Sequence, residues 1–178
     1  MYEIRYWLAK LQYKLRGNDK EVMSKYFRKA GMRIGGGCNI CCNIMTPEAY
    51  LIDIGDDVTI AGNVVFVTHD NSIIKIDPKC ANLFGYIKIG NNCFIGQNTT
   101  LLYGVSLADN IIVAAGSVVA NSFTEQRIII AGNPARKIGT WDEFYKNNGN
   151  CAMGRNTAFK AANDSGESDN RFIKRKTK

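Results

Sequence analysis

From Ile89 to Thr124 the chain places a branched aliphatic residue at every sixth position: Ile89, Ile95, Leu101, Leu107, Val113 and Val119. The residue after each is Gly or Ala in five of the six blocks, and the fifth place (Cys93, Thr99, Val105, Ile111, Ser117, Phe123) is small or apolar. A helix repeats every 3.6 residues and a strand every two, so a sustained period of six fits neither alone. It fits a short strand and a tight turn stacked coil upon coil, which is a parallel β-helix. The same frame opens at Ile34 and Ile40, is lost across Thr46–Asp53, and resumes at Ile54, Ile60 and Phe66. Pro47 and Glu48 mark the first break as a bulged or longer corner. The second break follows Phe66-Val-Thr-His-Asp, after which residues 71–86 leave the period altogether and predict an excursion from the prism. A loop of that length inside a compact repeat is usually functional or disordered.

Flanking segments have helical period. Ile4, Trp7, Leu8, Leu11 and Leu15 predict an amphipathic helix over residues 2–16 with a basic outer side. Gly17-Asn18-Asp19 breaks it, Asp19 can cap a second helix through Ala30, and Gly31 suits the position after that helix. A solenoid needs a polar cap, and residues 1–33 are expected to cover the open end of the prism; docking on a membrane surface is the competing use of the basic face. After the repeat body, 34–138, Thr140 and Glu143 predict a capping box for a short helix within 139–153, with Gly149 as its stop. Residues 154–178, rich in Asn, Ser, Lys and Asp, read as a disordered basic tail.

Charge sharpens this division. Residues 1–33 carry nine Lys/Arg against three acids, 34–154 seven against ten, and 155–178 seven against three. The body has no basic face with interleaved aromatics, so nucleic acid is not an expected partner. Six cysteines form no disulfide framework. Cys38 and Cys93 fall at the inward fifth position, and Cys38-x-x-Cys41 has no second pair to complete a zinc site, so no metal is expected. No apolar run approaches the roughly 20 residues of a membrane span. Without a leader-like apolar stretch after Met1, and with reduced thiols, the expected location is the cytoplasm, with the inner membrane face as an option.

The blocks, together with Phe66-Val-Thr-His-Asp and Ala131-Gly-Asn-Pro-Ala-Arg-Lys-Ile138, resemble the hexapeptide-repeat acyltransferases, and in particular sugar and capsular polysaccharide O-acetyltransferases. The resemblance spans about residues 20–145 and implies a mainly β fold, a left-handed parallel β-helix with three blocks per triangular coil. It implies acetyl-CoA as acyl donor and a homotrimer with active sites between subunits. His69, the single histidine, matches the family's general base. Imidazole suits that task because its ordinary pKa lies near working pH, and a positioned base is worth about 10²–10⁴ in rate. Asp70 is next in sequence, but neighbours on an extended chain point to opposite sides, so a backbone carbonyl is expected to orient the ring at least as readily.

Further positions follow from the resemblance. Gln97, Ala115 and Ala120 align with coenzyme contacts, and Arg136 and Lys137 with residues that reach the coenzyme phosphates. Ala114-Ala-Gly-Ser-Val-Val119 resembles the stretch lining the pantetheine channel, with Ala114 in place of the usual Gly. Asn43, eleven residues before Ile54, matches an acceptor-binding Asn. Phe84 and Tyr86 could carry a sugar ring on their faces, with Asp70 and Asn43 meeting its hydroxyls. Serine and streptogramin-type antibiotics are alternative acceptors, and a non-catalytic scaffold is the reading from a different class. A γ-class carbonic anhydrase shares the fold but needs three His ligands, and one His excludes it.

Overall fold

The computed structural model describes residues 2–154, so the predicted disorder of the tail beyond Gly154 lies outside the described residues. The chain divides into two compact units, Met1–Ile138 and Gly139–Lys178. The first is a parallel β-helix with a helical pair at its N-terminal side.

Two- and three-residue strands, joined at the C-terminal end of the second face by the longer strand Ile128–Gly132, stack in parallel register, and the first residue of each six-residue block faces the interior. On the first face Ile34, Ile54, Ile89 and Leu107 lie in register. Ile40, Ile60, Ile95, Val113 and Ile130 follow on the second, and Phe66, Leu101 and Val119 on the third. All are buried, as are Cys38, Val58, Cys93, Thr99, Val105, Ile111 and Ser117 at the fifth place. The two buried thiols behave as small apolar residues with a weak donor: Cys38 Sγ donates to Gly55 O at 3.1 Å and Cys93 Sγ to Ala108 O at 3.2 Å. Burial pushes both thiols above their ordinary pKa.

The corners explain the small second residue of each block. A Cβ on Gly90 would lie 2.5 Å from Asp109 Oδ1, and one on Gly96 2.5 Å from the Ala115 amide nitrogen. Neither position has room for a side chain. One corner is tied by a ladder that runs coil to coil. Gly36 N donates to Asp56 Oδ1, Asp56 N to Asn91 Oδ1, and Asn91 N to Asp109 Oδ1, at 2.7–2.8 Å. These partners are 20, 35 and 18 residues apart. An undisturbed coil thus takes 18 residues; the break at Thr46–Asp53 lengthens one, and the excursion over 71–86 lengthens another.

Helix α1 (Tyr2–Leu15) is followed by α2 (Lys20–Lys29), whose N-cap Asp19 accepts from the Glu21 amide. Gly31 follows the C-cap with φ +111°. Helix α2 buries Val22, Met23 and Phe27 and holds the first coil through Arg28, which donates to the carbonyls of Ile34 and Gly35. The expectation of a basic outer side for α1 is corrected: its apolar residues Ile4, Trp7, Leu8, Leu11 and Leu15 are all exposed. Among the described residues of α1, Tyr6 and Ala9 are buried, and Tyr13 is packed beside them. Tyr6, Ala9 and Tyr13 are also spaced i, i+3, i+7, and Tyr6 gains edge contacts with Tyr26 and an inclined one with Phe27. Among the described residues no helix is long and apolar enough to cross a membrane.

In the second unit, helix α3 (Trp141–Asn148) has the predicted capping box. Thr140 accepts from the Glu143 amide and Glu143 reaches back to the Thr140 amide, while Gly149 is the C-cap.

Candidate active site

His69 sits where the chain leaves the third face. His69–Asp70 pairs antiparallel with Leu83–Phe84, so the excursion over 71–86 leaves and returns as a two-stranded arm. His69 lies opposite Phe84, with ring centroids 5.9 Å apart and planes inclined by 47°. The imidazole is 40% exposed, open enough to meet a substrate.

The group that orients it is Glu48. Its Oε2 lies 2.9 Å from His69 Nδ1 and accepts from the Thr68 hydroxyl at 2.8 Å. Thr46 Oγ1 is 2.6 Å from Thr68 Oγ1 and backs the pair from below. The Thr68 hydroxyl chiefly, with help from His69 and Thr46, holds the Glu48 carboxyl below its usual range against the opposing effect of desolvation. An ionised carboxylate only accepts hydrogen bonds. A proton of this contact therefore sits on His69 Nδ1, which leaves Nε2 as the ring nitrogen available to a substrate, with no hydrogen-bond partner among the described residues. The expected backbone carbonyl is thus replaced by a side-chain carboxylate.

Glu48 escaped the sequence reading because it fell in the broken frame. A signal was present: Ile34 pairs with Ile54, and Ile40 with Ile60, an offset of 20 residues. The same offset sets residue 48 beneath Thr68, beside His69. Asp70 points elsewhere, as alternation requires. Its Oδ1 accepts from the Ser72 amide at 2.7 Å and its Oδ2 from the Tyr103 hydroxyl at 3.2 Å. The Ser72 amide bond, foremost, holds the Asp70 carboxyl low, while desolvation raises the Tyr103 phenol. Tyr103 was another residue the period alone could not mark.

Other predicted residues spread around this centre. Asn43 lines a cleft of about 380 Å³ between α2 and the first coil, together with Tyr26, Met32, Met45 and Thr46. Thr46 joins that cleft to the Glu48–His69 pair. Tyr86 is exposed just after the arm, with Lys88 Nζ 5.7 Å from its ring centre. Gln97 and Ala115 are exposed on adjacent coils between the second and third faces, where the Gly116 amide donates to the Gln97 carbonyl at 2.8 Å. Ala120 is exposed immediately after the third face, at the corner where His69 leaves it two coils away. Arg136 is exposed with its Nη1 donating to Ala135 O, and Lys137 Nζ is paired with Glu125 at 2.6 Å. The structure therefore joins His69, Phe84, Glu48 and the threonines directly, and keeps Gln97 and Ala115 at a separate corner.

Such a site can take a proton from a bound nucleophile at Nε2. Comparison with known proteins agrees with its setting. Residues 86–121 match the family model described as the hexapeptide repeat of succinyl-transferase. Protein CapG of Staphylococcus aureus is 41% identical over 122 residues, covering 66% of this chain and 70% of the relative. Galactoside O-acetyltransferase of Escherichia coli K12 is 30% identical over 139 residues, covering 76% and 68%. A solved hexapeptide-repeat acetyltransferase of Vibrio cholerae O1 biovar eltor, complexed with acetyl coenzyme A, superposes with a TM-score of 0.52 at 26% identity, covering 62% of this chain and 60% of that one. With that repeat, that fold and relatives of that length and identity, the chain belongs to the hexapeptide-repeat acetyltransferases, enzymes that take their acyl group from acetyl-CoA.

Proposed function

We propose that the protein O-acetylates a sugar hydroxyl in the synthesis of a polysaccharide or other glycan, with His69 as general base. The observation that carries this reading is the Glu48–His69 pair: a carboxylate 2.9 Å from Nδ1, on a half-exposed imidazole whose ring lies 5.9 Å from the exposed ring of Phe84. In the reaction, Nε2 takes the acceptor hydroxyl proton as its oxygen attacks the thioester carbonyl. Collapse of the tetrahedral intermediate breaks the C–S bond, and the proton on Nε2 goes to the departing thiolate. The products are an O-acetyl ester and free CoA. Glu48 holds the ring in the tautomer that can do this and offsets the charge the imidazolium gains.

A sugar acceptor is supported by the exposed aromatic pair Phe84 and Tyr86, by the cleft that Asn43 lines, and by the galactoside-acetylating relative. A trimer is supported by the corner geometry. Gln97 and Ala115 lie at a different edge from His69, so an edge of a neighbouring chain would complete the site. The free thiols of Cys38, Cys41, Cys42, Cys80, Cys93 and Cys151 suit the cytoplasm.

The test is a panel of acceptors offered to the purified enzyme with acetyl-CoA, following release of the CoA thiol. The enzyme is expected at three times the 19.8 kDa chain mass by light scattering. Simple sugars, nucleotide sugars and glycan oligomers are set against serine and a streptogramin. Turnover is expected with a carbohydrate; turnover confined to serine or the antibiotic would overturn the acceptor class, and a fully active monomer would overturn the shared site.

A further inference from the structure

We propose that α1 lies on an anionic lipid bilayer, its apolar stripe at the interface and its cations on the headgroup phosphates. The proposal does not depend on the identity of the acceptor. At 100° per residue, Ile4, Trp7, Leu8, Leu11 and Leu15 fall within an arc of about 100°. That arc is opposite the Tyr6–Ala9–Tyr13 face that packs on α2. All five side chains are more than half exposed, from 54% for Leu11 to 78% for Leu15. A stripe of this size in water is costly and marks an interaction site.

Charge identifies the occupant. Helix α1 carries one acid, Glu3, in its first turn against the cations Arg5, Lys10 and Lys14, and Arg16 follows. Lys14 flanks one side of the stripe, with Lys10 farther round and its Nζ over the rings of Tyr6 and Tyr13, and Arg5 and Arg16 flank the other. On the Arg5 side, Arg16, Lys25 and Lys29 join Leu8 around a cleft of about 520 Å³ between α1 and α2. A cationic cleft beside an apolar ridge matches a phosphate above acyl chains. A helix with an apolar stripe, a Trp within it and cations on both flanks is the pattern that lies in the plane of a membrane surface. A second copy of the chain meeting this face through its own would bring like charges together, and buried interfaces are depleted in lysine. The chain's own residues 155–178 carry seven cations against three acids, a charge that does not complement this face.

The experiment is co-sedimentation of the full-length protein with sucrose-loaded vesicles of phosphatidylcholine containing 30% phosphatidylglycerol, against pure phosphatidylcholine. At least tenfold stronger partition into the anionic vesicles is expected, falling as salt rises. Trp7→Glu/Leu11→Glu, which alters only exposed positions, should weaken that partition at least tenfold at unchanged helicity, melting temperature and mass. Lys14→Gln/Arg16→Gln keeps the stripe and should weaken binding to anionic vesicles at least threefold. Equal affinity for the two vesicle types, or full binding by both variants, would overturn the proposal. So would a fall in mass of the Glu variant by light scattering, which would make the stripe a contact between copies.

Discussion

At the scale of residues, the site depends on one carboxylate that the repeat frame does not reveal. Glu48 is 15% exposed at its side chain, accepts from Thr68 and His69, and is backed by Thr46. Glu48→Gln keeps the size but removes the charge and leaves the ring free to take either tautomer. We expect kcat to fall at least about tenfold, a part of the 10²–10⁴ that a positioned base contributes, with KM for acetyl-CoA within twofold; steady-state kinetics check both. Stability carries the same signature. A carboxyl held below its usual range contributes stability that is complete above its unfolded pKa of about 4.3 and is lost as pH falls through the lowered folded value. Between pH 6 and pH 3, urea unfolding of Glu48→Gln should accordingly show a shallower loss of stability than the parent. His69 was legible because it is the one histidine and sits at a frame break. Glu48 became legible only through the 20-residue offset that the broken coil imposes.

At the scale of elements, period alone gives the stack but not the direction of an amphipathic helix. Ile54 and Ile89, or Ile95 and Val113, meet because the first place of each block can face only the interior. The sequence of α1, by contrast, offers two faces of helical period, and the aromatic face won the contact with α2 while the aliphatic one stayed outside. Hydrophobicity told which residues are apolar; only the contacts with Tyr26 and Phe27 decide which of them are buried. Removing a stacked side chain tests the interior. Ile95 is fully buried between Ile60 and Val113, and Ile95→Ala should cost about 2–5 kcal/mol by denaturant unfolding. The Asp56–Asn91–Asp109 ladder was not read from the sequence, since it rests on coil-to-coil distances that a one-dimensional frame does not contain.

At the scale of the whole molecule, a mildly acidic repeat body carries the proposed chemistry, and the basic N-terminal pair holds its first coil through α2. The β-helix acts as a rigid scaffold with tight corners, and its one long excursion brings Phe84 opposite His69. Everything proposed for function converges on the imidazole of that residue. The most direct measurement is kcat/KM of His69→Ala with acetyl-CoA and the carbohydrate that the panel selects. It is made on protein whose mass and melting temperature match the parent, since His69 lies off the stacked frame and is not needed to fold it. The expected result is a loss of at least about a hundredfold, with KM for acetyl-CoA nearly unchanged. Turnover close to that of the parent would contradict His69 as the base.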